Sequence, residues 1–120
     1  MKAINILRAE QSQKVPTDWG SLTWFANTAL GNSDQMTIGK CVIKPGKANP
    51  LHSHPNCYET LVVFEGNIEH MVENGAYVAM QPGDTITIPA NVRHHARNTW
   101  PRDAVLFIAF SSGTRETKGE

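Results

Sequence analysis

Short β-branched runs punctuated by turn residues recur along this chain. Leu30-Gly-Asn-Ser-Asp34, Pro45-Gly46, Glu73-Asn-Gly-Ala76, Pro82-Gly83-Asp84 and Trp100-Pro-Arg-Asp103 divide it into short runs rich in β-branched and aromatic residues. That spacing is the signature of an all-β sandwich or barrel. The strands it predicts are Ile4–Leu7, Leu22–Asn27, Met36–Lys44, Tyr58–Glu65, Asn67–Val72, Tyr77–Met80, Thr85–Ile88, Arg93–Asn98 and Ala104–Phe110. Asn74-Gly75 marks a hairpin, since both residues tolerate the positive φ of a type I′ turn. No segment carries a sustained helical period with caps, so little helix is expected. Val15–Trp19 reads as a loop or a short helical turn, and the polar tail 111–120 as frayed.

Composition narrows the function classes. The 120 residues suit one domain, 1–120, with a core of its own. Eleven basic residues balance eleven acidic ones, without a basic block, so neither nucleic acid nor membrane is expected as a partner. The N-terminal apolar run is broken by Arg8 and Glu10, too short for a signal peptide, which makes the cytoplasm the expected compartment. Cys41 and Cys57 have no framework spacing and are expected as free thiols in core or wall positions.

Four residues stand out against this ordinary background. His52, His54 and Glu59 lie in one turn-rich segment, 46–66, and His94 in another, 83–98. Imidazole and carboxylate are the donors that bind divalent transition ions. In an extended strand His52 and His54 point the same way. Pro55-Asn56 interrupts the ladder and resets the parity before Glu59, which shares its face with Leu61 and Val63. His94 shares a face with Ala96 and Asn98, and His95 faces away. A lone strand histidine is more often a satisfied polar residue than a ligand, and His70 and His95 are set aside on that ground. The co-occurrence of a His-x-His pair, a carboxylate and a distant third histidine is what points to a metal.

The same residues resemble the two motifs of the cupin superfamily. Gly46, His52, His54, Glu59 and Gly66 match the first motif without a gap, and Gly83, Pro89, His94 and Asn98 match the second. One position departs: Asn91 stands where glycine is usual. Asparagine is the residue that best tolerates a left-handed backbone after glycine. The resemblance, of a quercetin-dioxygenase-like, single-domain kind, implies a jelly-roll-like β-barrel with a metal near its mouth. It implies His52, His54, Glu59 and His94 as ligands, and a homodimer whose N-terminal strand, here Ile4–Leu7, pairs between subunits or lies at an edge.

Three imidazoles and a carboxylate leave about two positions open on a six-coordinate ion. Fe, Mn, Ni and Zn all accept this set. The partner expected is a small molecule able to chelate the ion. A dioxygenase-type metalloenzyme is the leading expectation, with Glu59 as a base in some family members. A non-oxidative isomerase, cyclase or lyase is the alternative, and a non-catalytic ligand-binding or sensor module is the rival from another class. Lys40, Tyr58, His70 and Arg93 are the candidate acids or bases. Trp24, Phe25, Met36, Ile38, Phe107 and Ala109 are candidate walls, with barrel core as the commoner role for most.

Overall fold

A computed structural model describes residues 3–119. Among the described residues nine strands form two antiparallel sheets: β1 (Gln13–Pro16), β2 (Gly20–Ala26), β3 (Thr37–Ile43), β4 (Glu59–Glu65), β5 (Ile68–Glu73), β6 (Ala76–Met80), β7 (Thr85–Ile88), β8 (Ala96–Asn98) and β9 (Ala104–Phe110). The larger sheet runs β1-β2-β3-β9-β4-β7, and the smaller runs β6-β5-β8. Helix is confined to one 3₁₀ turn at Ala9–Gln11 among the described residues. The all-β, jelly-roll-like expectation therefore holds.

Alternation along the strands builds the core. In β9, Ala104, Leu106, Ile108 and Phe110 are buried while Val105, Phe107 and Ala109 are half-exposed. β4 repeats this with Glu59, Leu61 and Val63 inward, and β3 with Thr37, Gly39, Cys41 and Ile43. The period of two puts all of these on one face of the sheet. Ile43, Ile68, Val63 and Leu106 are fully enclosed.

The structure corrects four expectations about elements. Residues 4–7 form no strand, and Ile4 and Ile6 are 97% and 65% exposed, because no neighbouring strand offers them an edge. The Val15–Trp19 region is not a helical turn: Val15 and Pro16 end β1, which pairs with β2 from Gln13↔Trp24 to Pro16↔Ser21. Proline is tolerated there because β1 is the sheet edge. The hairpin at Asn74-Gly75 forms between β5 and β6, but only Gly75 has a positive φ (79°), so the turn is not type I′. A register shift between Met71 and Glu73 absorbs the mismatch.

The tail is the fourth correction. Residues 111–119 are tied down rather than frayed. Ser53 and Lys118 exchange two backbone hydrogen bonds of 3.0 and 2.9 Å. Asn56 Nδ2 donates to the Thr114 carbonyl (2.8 Å) and Asn56 Oδ1 accepts from the Glu116 N–H (2.8 Å). Polar composition suggested fraying, but those polar groups have partners in the 52–56 loop.

Candidate metal centre

His52 and His54 lie in the loop between β3 and β4, Glu59 opens β4, and His94 precedes β8. The predicted strand at Arg93–Asn98 is shorter than expected, because His94 leaves the sheet to make an isolated antiparallel bridge with His52. The two residues exchange backbone hydrogen bonds of 2.8 and 3.1 Å, which brings the two distant segments together. One ligand atom from each of His52, His54, Glu59 and His94 lies within 4.8 Å of all the others, and all four residues are buried.

The hydrogen bonds around the rings fix what the cluster can bind. Nδ1 of His52 faces the Pro50 carbonyl at 2.7 Å, that of His54 the Glu116 carbonyl at 3.0 Å, and that of His94 the Val92 carbonyl at 2.8 Å. A carbonyl only accepts, so each Nδ1 carries the proton and each neutral ring turns an Nε2 lone pair away from it. His94 Nε2 sits 2.9 Å from Glu59 Oε1, and His54 Nε2 sits 3.2 Å from the same oxygen. His54 Nε2 is buried without a well-aligned hydrogen-bond partner. Lone pairs facing a buried carboxylate need a cation between them. The donor set thus fits a divalent metal, and backbone carbonyls behind the rings are the support metal-binding histidines use.

Without an ion, protons do this work. Burial pushes the His52 imidazole down to about 4. Burial also opposes the charge on Glu59, but the hydrogen bonds and charges of His54 and His94 outweigh it and hold the carboxyl at about 2. Burial likewise opposes a charged His94, yet the hydrogen bond and charge of Glu59 raise that imidazole above its ordinary value. Glu59 is therefore held as a carboxylate, and among the shifted imidazoles His94 is the one whose charged form it favours.

Around the cluster lies a cavity of about 30 Å³, room for an ion and one or two waters. Leu61, Leu106, Ile108 and Phe110 form its apolar side, and Asn49, His70 and Arg115 its polar side. Of the candidate acids and bases only His70 reaches it. Lys40 lies on the opposite face of β3, and Tyr58 and Arg93 are exposed. Of the candidate walls only Trp24 lines it. Ile38, Phe107 and Ala109 have the wrong parity, Met36 precedes β3 and is exposed, and Phe25 does not border the cavity. Cys41 borders the cavity, whereas Cys57 packs in the core, and no disulfide joins them.

His70 was set aside for want of a partner in sequence, and the structure puts it on the cavity wall. Its ring stacks on that of His94, with centroids 5.8 Å apart and planes 16° from parallel. Nδ1 donates to the Met71 carbonyl at 2.8 Å. The sequence did hold a signal: Ile68 and His70 share one face of β5 while Glu69 takes the other, so the apolar neighbour marks the inward side. His95 does turn away, with Nε2 2.6 Å from the Tyr77 hydroxyl and Nδ1 3.0 Å from the Asn49 carbonyl.

Backbone geometry at the second segment agrees with its motif. Asn91 has φ 67°, the one non-glycine residue in the left-handed region among those described. The asparagine performs the turn that glycine usually performs there. Gly66, which closes the first motif, has φ 90°, and a Cβ there would fall 2.8 Å from the Trp100 ring. Residues 39–110 match the family described as Cupin domain. The chain is a cupin.

Relatives of this cupin include a germin-like protein of Morus alba, 31% identical over 95 residues that make up 75% of this chain and 46% of the relative. An auxin-binding protein of Prunus persica is 30% identical over 81 residues, 64% of this chain and 39% of its own. The cupin thus spans less than half the length of these relatives. An oxalate decarboxylase of Lactobacillus farciminis, in complex with formate, superposes with a TM-score of 0.82 at 18% identity, covering 92% of this chain and 34% of that one. A conserved protein with a double-stranded beta-helix domain from Klebsiella pneumoniae superposes with a TM-score of 0.78 at 17% identity, covering 98% and 99%. At these identities the likeness is one of fold. No helix among the described residues is long and apolar enough to cross a membrane.

Proposed function

We propose that this cupin is a metalloenzyme that holds one divalent transition ion through His52, His54, Glu59 and His94 and acts on a small chelating molecule. The observation that carries this reading is the set of three Nε2 lone pairs and one carboxylate converging in a buried space, each ring fixed from behind by a backbone carbonyl. When bound, the ion would supply Lewis acidity and about two open positions for ligand or dioxygen. Fe, Mn, Ni and Zn all suit the donors.

The polar wall favours catalysis over passive binding. A binding module needs only apolar sides, whereas His70, Asn49 and Arg115 offer groups that can orient a substrate or move a proton. Glu59 is the carboxylate within the centre, and in this reading it is the base that takes a substrate proton. Dioxygenase chemistry of the quercetin-dioxygenase-like kind is our first reading, on a substrate far smaller than a three-ring molecule, given the room available. A non-oxidative lyase is the second, favoured by the fold shared with oxalate decarboxylases. Turnover under strict anoxia separates them: the first reading expects activity to stop, and undiminished product formation would replace it with the second.

In the same reading the protein works as a soluble homodimer in the cytoplasm. The apolar residues Ile4 and Ile6 are exposed and unpaired within the chain, and Ile38 and Phe64 project from the outer face of the larger sheet. Exposed apolar groups of this kind are suited to a second copy. Light scattering is expected to return twice the chain mass, and a monomer at micromolar concentration would remove this part of the proposal.

A further inference from the structure

The segment after β9 folds back along the loop that carries two of the four ligands. The Ser111 N–H donates to the Tyr58 carbonyl at 3.1 Å, and Asn56 holds Thr114 and Glu116 through its side chain. Ser53 and Lys118 form an isolated antiparallel bridge, and Gly119 abuts Leu51 and His52. Partner numbers fall on one side as they rise on the other, so residues 111–119 lie antiparallel along 51–58. The approach is close at its far end. A Cβ on Gly119, where φ is 96°, would fall 2.7 Å from the Leu51 carbonyl oxygen and 3.3 Å from the His52 Cα. The lack of a side chain is what admits the two backbones there.

The three imidazoles are not held alike. His52 and His94 each donate from Nδ1 to a carbonyl two residues earlier in their own segment, Pro50 and Val92. His54 Nδ1 donates instead across 62 residues, to the Glu116 carbonyl at 3.0 Å, with Thr117 Oγ1 at 3.2 Å as a second acceptor. Local backbone alone orients the first two rings. The third keeps its Nε2 lone pair aimed at the cluster only while 111–119 is docked.

We infer that residues 111–119 are a strap whose docking and the binding of the ion stabilise each other, with Asn56 and Gly119 as positioning residues that act through His54. This rests on the metal reading above and adds to it a coupling between the centre and a surface segment. A ring held with its lone pair toward the cluster binds an ion more tightly than one free to turn. By linkage, the bound ion then holds the strap by the same factor. Any agent that peels the strap away weakens the hold on the ion, and loss of the ion loosens the strap.

Co(II) and the full-length protein test both directions of the coupling. Asn56 is exposed, so Asn56→Ala removes the tether without opening the core. It is expected to weaken Co(II) about tenfold in a competition titration, the lower end of what a lost partner of a ligand costs. Gly119→Ala, which pushes the strap off from its other end, is expected to do likewise. In the wild type, saturating Co(II) is expected to slow hydrogen exchange across 111–119 by a similar factor, with the amides of β6 as the control. Melting of the metal-free proteins isolates a merely structural role. Variants that melt lower yet bind Co(II) within about twofold of wild type overturn the proposal. So does wild-type exchange in 111–119 that Co(II) leaves unchanged, or slows no more than it slows β6. The exchange measurement needs no variant and decides the matter even where a variant fails to fold. Wild-type protein that takes up no Co(II), read first from its visible spectrum, strikes the metal reading itself and the coupling with it.

Discussion

Purified without added metal, the wild-type protein is expected to carry about one equivalent of a divalent transition ion, and His94→Ala to carry none. His94 Nε2 is 2.9 Å from Glu59 Oε1, so its removal takes away one donor and the nearest balancing charge of a second. What remains is a buried carboxylate beside two rings, an incomplete site for a six-coordinate ion. The readout is elemental analysis together with thermal melting. A ligand that binds only the folded state stabilises it by about 2.7 kcal/mol at a hundredfold excess over its dissociation constant. Wild-type melting should therefore rise on addition of Mn(II), and that of His94→Ala should not move. A folded His94→Ala protein that still holds one equivalent of metal would show that the ligands have been misassigned.

Leu106→Ala is expected to produce the largest loss of stability. Leu106 is 1% exposed, at the middle of β9, with Cys41 on one side and Val63 on the other as register partners. All three face the same core, so the deleted atoms leave a void that strand backbones cannot close. Such truncations cost about 2–5 kcal/mol, of a total that is only about 5–15 kcal/mol for a domain. The melting temperature should fall by roughly 10–15 °C. Leu106 also borders the metal cavity, so the same change enlarges the space beside the ligands. A denaturant-melt loss below about 1 kcal/mol would mean that the core repacks around this position.

Much of this could be read from residue order because the relevant physics is local. β3, β4, β7 and β9 are short runs rich in β-branched and apolar residues between turn signals, and their predicted limits match to within a residue or two. His52, His54, Glu59 and His94 were recognisable because donor chemistry and spacing constrain each other. What escaped depends on partners distant in sequence. β1 exists because β2 offers an edge to Gln13–Pro16, and nothing within Gln13–Pro16 announces it. Arg115 reaches the site because Asn56 and Ser53 capture a tail whose composition alone suggested disorder. His70 could have been placed from the parity of Ile68, had sheet pairing been weighed above the absence of a sequence neighbour.

The sheet order β2-β3-β9-β4 carries a consequence for how the chain comes to be folded. β3 and β4 do not pair with each other, and the strand that joins them follows both in the chain. During synthesis β3 and β4 emerge with an empty slot between them, and the larger sheet cannot close until Ala104–Phe110 is released. Contacts between residues so far apart form slowly, and the unpaired edges remain open to chaperones or to other chains in the interval. Glu116, whose carbonyl sets the His54 ring, emerges later still. Capture of an ion by a fully oriented ligand set would therefore be a late, post-closure event rather than the seed of folding.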